Sequence, residues 1–186
     1  MPIDHDALAE SVAKLEGVDP AAAGLDEALH LVAKEADDLF PVDGAGIMLL
    51  SEGSVLRYVA ASDEPGQVLE ALQEHTQEGP CVDAFYHDRP VAAPDLAADP
   101  RWPSVGPLAS RHGIKAVLGV PIGLRKGPVG TLNVYAAAPH AFDEDERAAI
   151  QAYARVVASL LRAGVQAHVR GRAAAQLQYA LDPTGS

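Results

Sequence analysis

Between Glu78 and Glu146 the sequence alternates turn punctuation with short apolar runs: EGPCVDAF, DRPVAAPDL, DPRWP, GIKAVLGVPI and GPVGTLNVYAAAPHAFDEDE. Within it, AVLGVPIGL and VGTLNVYAA are joined by Arg125-Lys126-Gly127, which predicts a β-hairpin. The first run is apolar nearly throughout, so it predicts a central strand. The second alternates Leu132 and Val134 with Thr131, Asn133 and Tyr135, which gives one polar-lined face. PVAAPDL is a short strand closed by Pro94, and DPRWPSVG after it is a loop. Val105, Leu108, Ala109 and His112 predict a helical turn or two, stopped by Gly113 as a left-handed cap. Asp143, with Glu146 three residues later, has the spacing of a capping box and starts a long helix.

Upstream, Leu8, Val12 and Leu15 predict a short amphipathic helix ending near Gly17. Asp19-Pro20 then opens a second helix, with Leu25, Ala28, Leu29, Val32, Ala36 and Leu39 on one face up to Pro41. GAGIMLLS and SVLRYVAAS, separated by Glu52-Gly53, predict an antiparallel hairpin, with Gly44 and Gly46 weakening the start of its first strand. Val68, Leu69, Ala71, Leu72 and His75 predict a helix over 65–77, broken at Gly79-Pro80. In the long last helix, Ile150, Ala154, Val157, Leu161, Gly164 and His168 recur in steps of four and three, the spacing of a coiled-coil seam. The expectation is a homodimer built on Ile150, Ala154, Val157 and Leu161, with Leu8 and Val12 completing the bundle. The fold class is α/β (α+β): a central, mostly antiparallel sheet with the terminal helices on one face and loops on the other.

Charge and composition exclude several classes. Residues 1–150 carry 10 Lys and Arg against 25 Asp and Glu, whereas residues 151–186 carry four Arg against Asp182. An acidic body repels nucleic acid and anionic membrane surface, so neither is an expected partner of this chain. No apolar run approaches the roughly 20 residues that span a bilayer, and MPIDHDALAE lacks a signal-peptide pattern, which predicts a cytoplasmic protein. Cys81 is the only cysteine, so an internal disulfide and a Cys-rich zinc cluster are impossible. None of the seven histidines forms an HxH or HxxxH pair, and Walker, Rossmann and GxSxG motifs are absent.

As an ordered whole, residues 20–168 resemble a GAF domain, a small-molecule-sensing module. The resemblance implies a pocket between the sheet and the loops on its far face, and a regulatory sensor rather than an enzyme. On that reading the units are an N-terminal helix (1–18), the sensor domain with its long helix (19–170) and a tail (171–186). Residues 173–181 (AAAQLQYAL) resemble the approach to an ANTAR domain, the RNA-binding module that follows GAF domains in actinobacterial antitermination regulators. That family continues with a Ser-Arg pair and an Ala-Lys-Gly segment, whereas this sequence reads Asp-Pro-Thr-Gly-Ser. The expectation is a sensor without its RNA-binding part, belonging to signal transduction or transcription regulation. Its ligand and cofactor are left undefined.

The candidate pocket residues are Cys81, Phe85, Asp95, Trp102, Asn133 and Tyr135. Cys81, after Gly79-Pro80, stands at a helix start that can lower a thiol pKa, which makes a thiol or redox enzyme the alternative reading. A small residue buried beside a loop is the favoured one, since no second thiol is present to resolve an oxidised Cys81. Phytochrome-like GAF domains attach a bilin through a cysteine followed by histidine, whereas Cys81 is followed by Val82. A haem needs only one axial ligand and an apolar pocket, and His75, His87 and His112 are the candidates, each more readily a solvated histidine. Trp102 either closes the pocket or wedges loop against sheet, and Asp95 either orients a ligand or caps its turn. Asn133 and Tyr135 face either the pocket or solvent. A third reading is a structural dimerisation module whose pocket is filled by its own side chains.

Overall fold

Aspartates cap four of the helices, three of them in the first half of the chain. Asp4 accepts from the amides of Asp6 and Ala7 to open α1 (His5–Glu16), Asp19 accepts from Ala21 to open α2 (Pro20–Ala23), and Asp63 accepts from Gly66 to open α4 (Glu64–Thr76). In this computed structural model, which describes residues 3–181, α3 spans Leu25–Leu39. One continuous helix from Pro20 to Pro41 is therefore not what forms. Gly24 adopts φ +91°, outside the helical region, and divides it.

The remaining elements are β1 (Gly44–Leu50), β2 (Leu56–Ala61), α5 (Pro80–His87), β3 (Val91–Ala93), α6 (Val105–Arg111), β4 (Ala116–Leu124), β5 (Gly127–Ala136) and α7 (Glu144–Leu181). The strands pair in the order β2-β1-β5-β4-β3, every pair antiparallel. The central strand is thus β5, not the uniformly apolar β4. Apolar residues fill β4 because α7 covers one of its faces and α5 the other. Asp143 and Glu146 form the reciprocal capping box at the start of α7, at 2.8 and 2.9 Å.

The two faces of the sheet differ in kind. Ile47, Leu118, Val120, Ile122, Leu132 and Val134 meet α1, α3 and α7 in an apolar core. This core includes Ile150, Ala154, Val157 and Leu161, all buried within the chain itself. Their four-three spacing seats α7 on its own sheet and on α3, so these residues offer no seam to a partner without opening the fold. Leu8 and Val12 are half-buried against the same core. The opposite face carries α4, α5 and α6, so short helices as well as loops cover it.

Candidate functional site

The far face of β5 presents Thr131, Asn133 and Tyr135, and strand pairing decides what lies beside them. Asn133 stands directly between Gly46 of β1 and Gly119 of β4. The two glycines form a trough. A Cβ on Gly46 would come within 2.1 Å of Glu70 Oε1, and one on Gly119 within 2.9 Å of the Pro80 carbonyl and 3.0 Å of Cys81 Cα. Residues without side chains at these two positions let α4 and the first turn of α5 settle onto the sheet. The glycines that weaken a strand by propensity are required here for close approach.

Into this trough α4 places Gly66, Leu69, Glu70 and Gln73, an i, i+3, i+4, i+7 face that is fully buried. The Asn133 amide donates to Glu70 Oε1. The Gln73 side chain reaches across to α5: its Nε2 donates to Cys81 Sγ at 3.0 Å, and its Oε1 accepts from the Cys81 amide at 3.0 Å. Three buried polar atoms make no hydrogen bond of full geometry among the described residues, Glu70 Oε2, Asn133 Oδ1 and Thr131 Oγ1, and the Cys81 thiol is the polar neighbour of both Asn133 and Thr131. Such orphans are costly and rare in folded chains. With no cation against it, the buried Glu70 carboxyl is pushed up to about 8, which keeps it mostly protonated at neutral pH.

Two further polar ties border the cluster. The Tyr135 hydroxyl donates to Asp63 Oδ2 while Asp63 Oδ1 caps α4, so one carboxylate fixes both the helix and the ring. Trp102 is buried, donates from Nε1 to Asp83 Oδ2 at 3.0 Å, and lies 4.1 Å beneath the Arg101 guanidinium.

The structure thus gathers Cys81 and Asn133 into one cluster, sets Tyr135 beside it and places Phe85 half-buried at its edge with Met48 and Val82. Trp102 belongs to the adjoining apolar cluster with Tyr135. Asp95 is exposed and stands apart, accepting from the Ala98 amide in its turn. Cys81 is fully buried, and burial first, then the neighbouring Glu70, push its thiol well above its ordinary value of 9. A helix start does not lower it, because desolvation outweighs a dipole confined to the first turn. His75, His87 and His112 are all exposed. Residues 182–186, the end of the tail, lie outside the described residues.

Sequence reasoning missed Glu70, Gln73 and Thr131. The signal was the Gly66–Leu69–Glu70–Gln73 spacing, set against the glycines of β1. The apolar reading of α4 selects Leu69, which is buried, and Val68 and Leu72, which are half-buried, but also Ala71 and His75, which are exposed.

A GAF-domain family profile matches residues 22–162. The chain belongs to the GAF domain family. Among solved structures, the GAF domain of an Acinetobacter phosphoenolpyruvate-protein phosphotransferase superposes with a TM-score of 0.69 at 18% identity, covering 90% of this chain and 96% of that one. Free methionine-R-sulfoxide reductase from Neisseria meningitidis, solved with its substrate, gives 0.67 at 18% identity over 86% and 91%. The chromophore-binding domain of an R. palustris bacteriophytochrome gives 0.63 at 14% identity over 88% and 62%. No curated protein matches the chain. GAF domains are sensory regulatory modules, and some proteins of this fold are enzymes.

Proposed function

We propose that this GAF domain is a small-molecule sensor of a signal-transduction or transcription regulator and not itself an enzyme, with its ligand held between β5 and the α4–α5 pair. One observation carries the reading: three orphaned polar atoms lie buried together at the glycine trough. A purely structural domain would lose stability by keeping Glu70, Asn133 and Thr131 there, since apolar residues of the same size remove the orphans. A thiol enzyme draws no support from Cys81, whose sulfur is sealed beneath Gln73.

A ligand that replaces the internal contacts of Glu70 or Gln73 favours a lifted position of α4. It shifts that balance only by its differential affinity for the two positions. Movement of α4 is felt by β5 through Asn133, and α7 packs on the opposite face of the same sheet. In this reading α7 carries the change to an output partner and joins two copies through its far half, where Val165 and Val169 are 63% and 59% exposed. The antitermination setting rests on residues 173–181 alone, and the cytoplasm is the proposed location.

The deciding experiment is native mass spectrometry of protein purified from its own host, with and without Asn133→Leu/Thr131→Val. A retained small molecule that disappears in the double variant supports the sensor. The reading fails if parent and variant are equally empty and no metabolite pool shifts the melting temperature of the parent.

A further inference from the structure

Resting on the sensor reading, we infer that the cluster beneath α4 is a subsite for the cationic, hydrogen-bond-donating end of a small ligand, an ammonium or guanidinium group, held by Glu70, Asn133 and Thr131. The open valences set the chemistry. Asn133 Oδ1 only accepts, Glu70 Oε2 accepts once ionised, and Thr131 Oγ1 accepts as well as donates. A group with several N–H donors satisfies all three, and an ammonium or guanidinium is such a group.

Charge narrows the ligand class. Among the described residues no Lys, Arg or His enters the cluster, and the titratable groups around Glu70 are Glu74 on its own helix, Tyr58 from β2 and Cys81 from α5. Glu74 is already paired with Arg57 at 2.6 Å on the surface. An anion would therefore sit beside a carboxyl with no cation to hold it. An apolar group would leave three orphans in place. A neutral amide leaves Glu70 protonated, whereas a cation supplies both the N–H donors and the counter-charge that lets Glu70 ionise, so proton release on binding separates the two.

A depression of about 370 Å³ opens to solvent between β2 and α4, lined by Val55, Arg57, Tyr58, Ala71, Glu74 and His75. Tyr58 lines it and also lies within the field of Glu70. Because the cluster is filled by its own side chains, the cation enters as α4 lifts from the trough. Its arrival converts the protonated Glu70 to a carboxylate, and the proton leaves to the buffer, so binding and proton release are linked.

The test uses the full chain and four probes of matched length at constant ionic strength: n-butylammonium, n-butylguanidinium, butyramide and butyrate. The two cations are expected to raise the melting temperature saturably at pH 7, and the amide and the anion are not. Calorimetry in two buffers of different protonation enthalpy should report close to one proton released per cation. Glu70→Gln, the neutral isostere of the protonated acid, should keep the fold by circular dichroism yet weaken the cation by about tenfold or more and abolish the proton release. Thr131→Val should weaken the cation without removing that release. Equal binding of butyrate or butyramide, no binding of either cation, or Glu70→Gln binding as well as the parent, each overturns the cation assignment. A host-derived anion or neutral molecule in the site overturns it as well, while leaving the sensor reading intact.

Discussion

Glu70 ties the fold to pH with a definite sign. It keeps its proton to about pH 8 in the folded chain, against an ordinary value of 4.5. Between those values the native state binds more protons than the unfolded one, so stability falls as pH rises, by up to about 1.4 kcal/mol per unit. The loss begins above 4.5 and levels off above 8. Glu70→Gln removes the titrating group, so its advantage over the parent should grow to a few kcal/mol by pH 8 and be small at pH 5. Urea titrations of both proteins at the two pH values check this, and superimposable pH profiles would sink it. At Cys81 the expectation is chemical: a buried, proton-holding thiol reacts with aromatic disulfide reagents only as the chain unfolds. Cys81→Ser should retain the fold, since a hydroxyl can still accept from Gln73. Rapid native-state labelling would reopen the enzyme reading. Asn133 and Cys81 were legible as candidates because one alternates with apolar neighbours in a strand and the other follows Gly-Pro. Glu70 was not, because a carboxylate on a helix reads as solvated unless the facing strand is known to carry glycine.

At the scale of elements, local chemistry announced itself well. The two hairpins, the capping box of α7 and the Gly113 stop, at φ +83°, all form where alternation and turn residues place them. Strand order did not follow, because burial on both faces gives β4 an apolar sequence whatever its rank in the sheet. Nor did the sequence tell core from interface in α7: four-three spacing is common to a coiled-coil seam and to a helix lying on a sheet. The trough itself is testable. Gly119→Ala drives a Cβ into the backbone of Pro80 and Cys81, so α5 must shift, at a cost of about 1–3 kcal/mol. Gly123, four residues along the same strand, has open space around it, and Gly123→Ala should be nearly neutral. Denaturant midpoints compare the two variants. Equal midpoints would mean that α5 is not held down by close packing at Gly119.

The whole molecule is a two-faced sheet with a helix that outruns it. At 1.5 Å per residue, the 38 residues of α7 extend roughly 57 Å, and among the residues whose burial is described the last buried one is Leu161. Beyond that point Val165 and Val169, one turn apart, expose an apolar stripe to solvent. The proposed dimer must use this stripe, since Ile150, Ala154, Val157 and Leu161 are committed to the core of their own chain. Two substitutions separate the roles. Val165→Glu/Val169→Glu places charges on the stripe and should give monomers by light scattering, with the melting temperature of the monomer unit preserved. Leu161→Glu instead buries a carboxylate against the core, so it should lower stability by several kcal/mol whatever the oligomeric state. If Leu161→Glu melts like the parent but dissociates, the seam lies where the heptad spacing alone would put it, and the packing of α7 on the sheet is wrong. If the parent chain is already monomeric at micromolar concentration, the stripe on α7 is free for the output partner rather than for a second copy.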